Sequence, residues 1–336
     1  MKKLLAHSFE EVISLDNLLS AWSEFLRGKR ARQDVQHFQF YLMDNILALH
    51  GDLVSKTYRH GKYSTFYIAD PKPRIIHKAP VMDRLVHHAL YRKLYPFFDK
   101  TFIADSYSCR KDKGTHKALD RFDGMARKVS QNHTRTCWVL KCDIKQFFAS
   151  VDHKILLDVL GEHIRDEDIL WLCEEIIGSF DSTKSGVGLP LGNLTSQLFV
   201  NIYMNEFDQF VKHKLKAKYY IRYADDFVIM SSNEERLEKQ IPTIKEFLVS
   251  KLGLIAHKIS IRTVASGVDF LGWVHFSDHR VLRTTTKKRM FRNIENSDGN
   301  EATLQSYLGL LKHGNTRKLQ QEVLAPFIPS VTEGSE

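Results

Sequence analysis

Apolar and polar positions follow a period that changes several times along the chain, and each change marks an element. Val12, Leu15, Leu18, Leu19 and Trp22 recur at helical spacing, which predicts two or three helices within residues 8–60. The basic patch Arg27, Lys29, Arg30 and Arg32 interrupts them and is expected to be a solvated loop rather than a phosphate contact. From Tyr63 to His77 the pattern turns strand-like, with Phe66 and Ile68 alternating before Asp70-Pro71-Lys72-Pro73 and then Arg74-Ile75-Ile76. A hairpin presenting Lys72 and Arg74 near its turn follows from this. A helix is expected around Met82 to Leu94, with His87-His88 half-exposed on it, then the basic loop Arg110-Lys111-Asp112-Lys113-Gly114.

Trp138 to Asp143 reads as a short apolar strand ending in an acid, and Ile155, Leu156, Val159, Leu160 and Ile164 form one helical face. Gly186 to Gly192 is a turn region, after which Thr195 or Ser196 is expected to cap a helix carrying Phe199, Ile202, Tyr203, Phe207, Phe210 and Val211, aromatics whose spacing suits a core. Tyr219 to Tyr223 and Phe227 to Met230 are β-prone runs joined at Ala224-Asp225-Asp226, so both acids belong at a hairpin tip. A helix through Leu237, Ile241, Ile244, Phe247 and Leu248 should be kinked or divided by Pro242 and closed by Gly253. Strands at Ile259 to Val264 and Phe270 to Phe276, a basic segment with Lys287, Lys288, Arg289 and Arg292, and a disordered last few residues complete the reading; no internal repeat is visible.

Composition narrows the class. A chain of 336 residues with 43% hydrophobic content can bury one large core or two modest ones, which excludes a disordered or fibrous protein. The 49 Lys and Arg against 40 Asp and Glu give a formal charge of +9, which favours a polyanionic partner without separating nucleic acid from membrane. The opening Met1-Lys2-Lys3-Leu4-Leu5-Ala6 is cut short by His7, Ser8, Glu10 and Glu11, far from a signal-peptide core. No later run reaches the roughly 18 apolar residues that a membrane span needs, so the expected location is the cytoplasm, with no membrane partner. Cys109, Cys137, Cys142 and Cys173 show no zinc-ligand spacing and are expected to be buried thiols in a reducing compartment.

Two adjacent aspartates flanked by apolar strands form a costly like-charge pair unless a cation neutralises them. Hard carboxylate oxygens suit Mg²⁺, with Mn²⁺ as a possible substitute. A third acid from another strand, Asp143, would let Asp143, Asp225 and Asp226 hold two ions about 3.5–4 Å apart, the arrangement of in-line phosphoryl transfer without a protein nucleophile. An Asp-Asp turn taken alone is structural as often as catalytic, and Lys72 and Arg74 would either neutralise phosphates or be exposed turn charges.

The segments KCDIKQFFASVDH (141–153), GLPLGNLTSQLFVNIYMNEFDQFVKH (188–213) and YYIRYADDFVIM (219–230) resemble, in order and spacing, the polymerase motifs of reverse transcriptases. PKPRIIHKAPVMDRLVHHAL (71–90) is similar to the fingers motif of the bacterial branch, VDFLGW (268–273) to its strand pair below the active site and GLIAHKISI (253–261) to its lysine-bearing segment. The resemblance spans about residues 60 to 276. It implies an α+β right-hand polymerase fold: a helical extension and fingers with part of the palm over 1–135, a palm of antiparallel sheet backed by helices over 136–276, and a small helical thumb and tail over 277–336. It further implies Asp143, Asp225 and Asp226 as catalytic metal ligands and Lys258 as a general acid near the pyrophosphate. Lys72, Arg74, Phe148, Leu191 and Gln197 would surround the incoming dNTP, and Arg110, Lys111, Lys113, Lys287, Lys288 and Arg289 would contact nucleic acid.

Within that branch, group II intron enzymes usually carry Gln-Gly and Ser-Pro where this chain reads Leu191-Gly192-Asn193-Leu194-Thr195-Ser196-Gln197. The Ser-Gln form, with the compact length and no maturase or endonuclease extension, resembles the enzymes of diversity-generating retroelements. In that family Phe148 would exclude a ribose 2′-hydroxyl, and an apolar Leu191 in place of a glutamine implies relaxed fidelity at template adenines. The implied partners are template RNA, primer or cDNA, dNTPs and a small basic accessory protein. A retron or anti-phage enzyme, and a non-catalytic RNA-binding scaffold, are the competing readings.

Overall fold

The N-terminal periodicity becomes four helices, α1 (Phe9–Ile13), α2 (Leu15–Phe25), α3 (Gln33–Phe40) and α4 (Leu42–Val54), in the computed structural model, which describes residues 3–69, 73–298 and 300–325. Ser14 caps α2 by accepting the Asn17 N–H, and Leu18, Ala21, Trp22 and Phe25 form its buried stripe. The patch at Arg27 to Arg32 forms an exposed turn, although Lys29 folds back over the Phe25 ring.

Strands β1 (Ser64–Ile68) and β2 (Arg74–Lys78) make the expected hairpin, in register from Ser64↔Lys78 to Ile68↔Arg74. Its turn, with Lys72, lies outside the described residues, as do the last few residues expected to be disordered. The hairpin is tied down at its base, where the His77 N–H donates to the Leu191 carbonyl at 3.0 Å. A Cβ at Gly192, whose φ is +110°, would sit 2.8 Å from Ile76 Cγ2, so only glycine lets the two backbones approach here.

Next come α5 (Val81–Phe98), α6 (Thr115–Val129), β3 (Trp138–Ile144), a single 3₁₀ turn over Phe147–Ser150, α7 (His153–Gly161), α8 (Glu167–Gly178) and α9 (Leu194–His213). After them run β4 (Tyr219–Tyr223), β5 (Asp226–Ser231), α10 (Glu234–Leu252), β6 (Ala256–Thr263), β7 (Val268–Phe270), β8 (Trp273–His275), β9 (Arg280–Leu282), α11 (Thr284–Asn296), α12 (Glu301–Leu311) and α13 (Arg317–Leu324).

A four-stranded antiparallel sheet of order β4-β5-β3-β6 organises both cores. Successive side chains on a strand point to opposite faces. Leu140, Cys142, Tyr220, Phe227 and Ile229 therefore join a core with α9, α10 and the N-terminal helices. Val139, Ile221, Val228 and Met230 join a second core with α6, the β7-β8-β9 sheet and α11 to α13. The acidic ends of β3 and β5 lie between these two packed layers.

Several expectations are corrected. Asn193, not Thr195 or Ser196, is the N-cap of α9, because Thr195 turns its hydroxyl to His87 Nδ1 at 3.1 Å. His87 is accordingly 1% exposed rather than half-exposed. Helix α10 runs undivided through Pro242, which sits on its exposed face where a lost backbone bond can be replaced by water; Gly253 closes it at φ +59° as expected. Residues 270–276 are not one strand, since β7 and β8 fold back about Leu271-Gly272. Cys109 is exposed, whereas Cys137, Cys142 and Cys173 are buried and burial pushes each thiol up to about 12. Among the described residues no helix is long and apolar enough to cross a membrane.

Candidate active site

The alternation that builds the central sheet also builds the site. On β3 the face of Val139 continues through Lys141 to Asp143, and on β5 the face of Met230 and Val228 continues to Asp226. The β3–β5 register ends at Cys142↔Phe227, one residue before Asp143 and one after Asp226. The β4–β5 hairpin closes at Tyr223↔Asp226, leaving Ala224-Asp225 as a two-residue loop. Ala224 takes the left-handed φ of +54° that such a loop demands of its first residue, usually a glycine.

Asp143, Asp225 and Asp226 thus share one end of the sheet, half-buried. Burial, then the neighbouring Asp143 carboxylate, pushes Asp225 up to about 6, with Arg74 pulling the other way. Burial pushes Asp226 up to about 7; the Lys141 ammonium opposes this and the Asp143 and Asp225 carboxylates add to it. Lys141 Nζ stands 3.5 Å from Asp226 Oδ2 and also donates to the Asp269 carbonyl at 2.7 Å.

Among the described residues, no three His, Cys, Asp or Glu side chains already converge as a metal nest. Asp225 and Asp143 are nonetheless within side-chain hydrogen-bond reach of each other, and each carboxylate's charge raises the cost of ionising its neighbours. The donor set fits a hard divalent ion in two respects. All three groups offer carboxylate oxygens, and Asp226 Oδ1 is buried with no hydrogen-bond partner among the described residues.

A cleft of roughly 970 Å³ opens in front of Asp226. Arg74 of the hairpin, Leu271 and Gly272 of the β7–β8 turn, and Arg283, Lys288, Arg289 and Arg292 at or on α11 line it. Two expected nucleic-acid residues, Lys288 and Arg289, therefore face the same space as an expected catalytic acid. Lys287 instead pairs with Glu322 at 3.1 Å.

Other expected site residues lie elsewhere. Phe148 is half-buried on the 3₁₀ turn, its carbonyl accepting the Leu189 N–H at 2.7 Å. Leu191 and Gln197, also half-buried, stand at the turn before α9 and in its first turn. None of the three lines the cleft. Lys258 is exposed at φ +49° in a β6 irregularity opposite Cys142. Lys111 is exposed, while Lys113 caps the Ala104 carbonyl at 2.7 Å. Arg110 turns inward: its guanidinium donates to Asp99 Oδ1 and to the carbonyls of Ile103, Ser106 and Asp99, leaving the side chain 6% exposed.

Lys141, Arg283 and Arg292 were not singled out from the sequence as site residues. Lys141 was legible, because it lies two residues before Asp143 on the same strand face. Arg283 and Arg292 reach the cleft only through the packing of α11, which no local pattern announces.

The protein-family pattern described as "Reverse transcriptase (RNA-dependent DNA polymerase)" matches residues 68–275. Among curated proteins, the chain is 26% identical over 247 residues to protein YkfC of Escherichia coli (strain K12), covering 61% of this chain and 62% of that one. It is 26% identical over 142 residues to the group II intron-encoded protein LtrA of Lactococcus lactis subsp. cremoris, covering 41% of this chain and 22% of LtrA. The chain therefore spans less than two thirds of either relative. Among solved structures, apo telomerase from Candida tropicalis matches at a TM-score of 0.52 and 12% identity, over 79% of this chain and 56% of that one. Telomerase from Candida albicans, in complex with a fragment of telomeric RNA, matches at 0.51 and 13%, over 80% and 54%. At these identities the likeness to the telomerases is one of fold.

Proposed function

The chain belongs to the reverse transcriptase (RNA-dependent DNA polymerase) family, its matching region being residues 68–275, and from that premise we propose that it copies a template RNA into cDNA at Asp143, Asp225 and Asp226. The fold is the α+β right-hand polymerase fold, and the proposal assigns helical extension and fingers with part of the palm to 1–135, palm to 136–276 and thumb and tail to 277–336. What carries the reading is one juxtaposition: three carboxylates at one end of a sheet, of which Asp226 has a buried oxygen with no partner among the described residues and lines a cleft that Arg74, Arg283, Lys288, Arg289 and Arg292 also line.

Asp143, Asp225 and Asp226 would hold two Mg²⁺, or Mn²⁺, which when bound supply acidification of the primer 3′-hydroxyl and stabilisation of the departing pyrophosphate. Arg74, already near enough to Asp225 to favour its charge, is placed to meet the phosphates of an incoming dNTP. Lys141 balances Asp226, and the Asp269 carbonyl keeps one of its donors occupied when that carboxylate turns elsewhere. Lys288, Arg289 and Arg292 would grip the template–primer backbone from the thumb, joined by Lys287, Lys111 and Lys113. Phe148 is assigned the sugar gate, Leu191 and Gln197 the nucleotide pocket, and Lys258 proton donation to pyrophosphate. Ser196-Gln197 and the apolar Leu191 favour an error-prone retroelement enzyme with a small basic accessory protein over a retron or anti-phage enzyme.

The test is Mg²⁺-dependent dNTP incorporation on an RNA template, beside Asp225→Ala/Asp226→Ala, with each base of the product sequenced. Incorporation that vanishes in the variant and errs at template adenines is the expected result. Faithful products would move the chain to the retron or defence branch. A second reading draws on the printed name of LtrA, a group II intron-encoded protein: the chain would bind an intron RNA as a scaffold. Tight RNA binding without incorporation in either protein would select it.

A further inference from the structure

Directly behind the loop that carries Asp225 and Asp226 lies an ion pair with no exposure at all, Arg222 and Asp208. Arg222 is the fourth residue of β4, on the face opposite Asp226, and Asp208 is on α9. Arg222 Nε donates to Asp208 Oδ1 at 2.8 Å and Nη2 to Asp208 Oδ2 at 2.7 Å. Nη2 also donates to Ser106 Oγ at 3.2 Å, and Nη1 donates to Asn201 Oδ1 at 3.3 Å and to the Ala224 carbonyl at 3.1 Å. All five guanidinium donors are thereby used. The Tyr220 hydroxyl donates to Asp208 Oδ1 at 2.6 Å, giving the carboxylate a third donor. The main chain is held as well, because the Arg222 N–H donates to the Asp105 carbonyl and the Tyr107 N–H to the Arg222 carbonyl, both at 3.0 Å.

A buried ion pair adds little to stability compared with apolar side chains of similar volume, since desolvation consumes most of the attraction. Its placement is more informative than its energy. Ala224 holds a left-handed backbone where glycine is usual, and the loop beside it must bring two mutually repelling carboxylates back to the position of a third. The bond from Arg222 Nη1 to the Ala224 carbonyl fixes that loop from behind, anchored through Asp208 and Asn201 to the rigid helix α9.

We propose that Arg222, locked by Asp208, is a positioning residue that presets the Asp225-Asp226 loop for divalent metal. This rests on the reading of the three acids as metal ligands. Arg222 touches no reacting atom; it acts through the Ala224 carbonyl, so its loss should weaken metal binding in a protein that still folds.

The test reads metal binding directly. Mn²⁺ is titrated by electron paramagnetic resonance into the full chain with an RNA template, a dideoxy-terminated primer and the matching dNTP, so that nothing turns over. Arg222→Met/Asp208→Leu/Tyr220→Phe replaces the network by apolar groups. Its melting temperature should stay near that of the parent while the Mn²⁺ dissociation constant rises at least tenfold. A folded triple variant binding within twofold of the parent overturns the proposal. Should the triple variant show no cooperative melt, Arg222→Lys decides: it keeps the charge opposite Asp208, but its single nitrogen cannot span Asp208 and the Ala224 carbonyl as the guanidinium fork does. A severalfold loss of Mn²⁺ affinity supports the role and an unchanged constant removes it. If the parent has no Mn²⁺ site that Asp225→Asn/Asp226→Asn abolishes, the metal reading itself fails, and the proposal with it.

Discussion

Phe147 and Phe148 are neighbours with opposite surroundings. Gln146, left-handed at φ +47° and two residues past the end of β3, starts a 3₁₀ turn that sends Phe147 into the core at 3% exposure and leaves Phe148 half-buried beside the Leu189 backbone. Both are apolar in the sequence, so residue type alone could not separate the proposed gate from the core residue. If Phe148 excludes the 2′-hydroxyl, Phe148→Ala should raise ribonucleotide use relative to deoxynucleotide use on the order of 10- to 100-fold without altering the melt. Competition between the two nucleotides measures the ratio, and an unchanged ratio would take the gate away from Phe148. Basic side chains divide in the same manner: Arg110, read as a surface cation, spends its donors on internal carbonyls, while Lys288 lines the cleft.

Helix α5 carries the clearest element-level consequence. The Gly61 carbonyl can only accept, so His60 Nδ1 donates to it at 2.7 Å and His60 Nε2 accepts from His87 Nε2 at 3.1 Å; His87 Nδ1 in turn accepts from the Thr195 hydroxyl. Burial holds His87 well below its ordinary range. His88, packed edge-on against Phe25, is pushed down to about 4, first by burial and then by the charges of Lys29, Arg84 and Arg92. A depressed folded pKa means that the unfolded chain takes the proton first. The stability contribution is thus complete above about pH 6.5 and is lost as pH falls toward 4. Through His88 alone the loss between pH 7.5 and 5 should be about 2 kcal/mol. Urea melts at the two pH values read it, and His88→Phe should flatten the difference; a slope indifferent to that change would assign the acid sensitivity elsewhere.

At the scale of the whole molecule, the C-terminal helices are docked on the β7-β8-β9 sheet by close contact, and that sheet is docked on α6 by charge. A Cβ at Gly314 would fall 2.1 Å from the Trp273 ring, and Arg280 reaches Asp120 and Asp123 of α6 at 2.8 and 2.9 Å. That docking turns α11 toward the acids and concentrates part of the +9 net charge along the cleft. Lys288 and Arg292, exposed one helical turn apart, should each release counterions on binding nucleic acid. Lys288→Ala/Arg292→Ala is expected to weaken template–primer binding regardless of sequence and to lower the slope of log affinity against log salt by about 2. A parallel shift at constant slope would mean that neither side chain meets a phosphate.

The sequence by itself determined the strands of the central sheet, the hairpin tip with its paired acids and the third acid at the end of β3, because period-two alternation, a forced turn and uncompensated like charge are all local in origin. It determined equally that Lys141 shares their face, although that was not read. Only the tertiary structure decided that His87 is buried, that Arg110 points inward, that α11 brings Arg292 to the cleft, and that Arg222 is spent on Asp208 and the Ala224 carbonyl. A charged or titratable side chain goes where its partners are, and whether these lie two residues away or more than a hundred, it is packing that no local period encodes that brings them within reach.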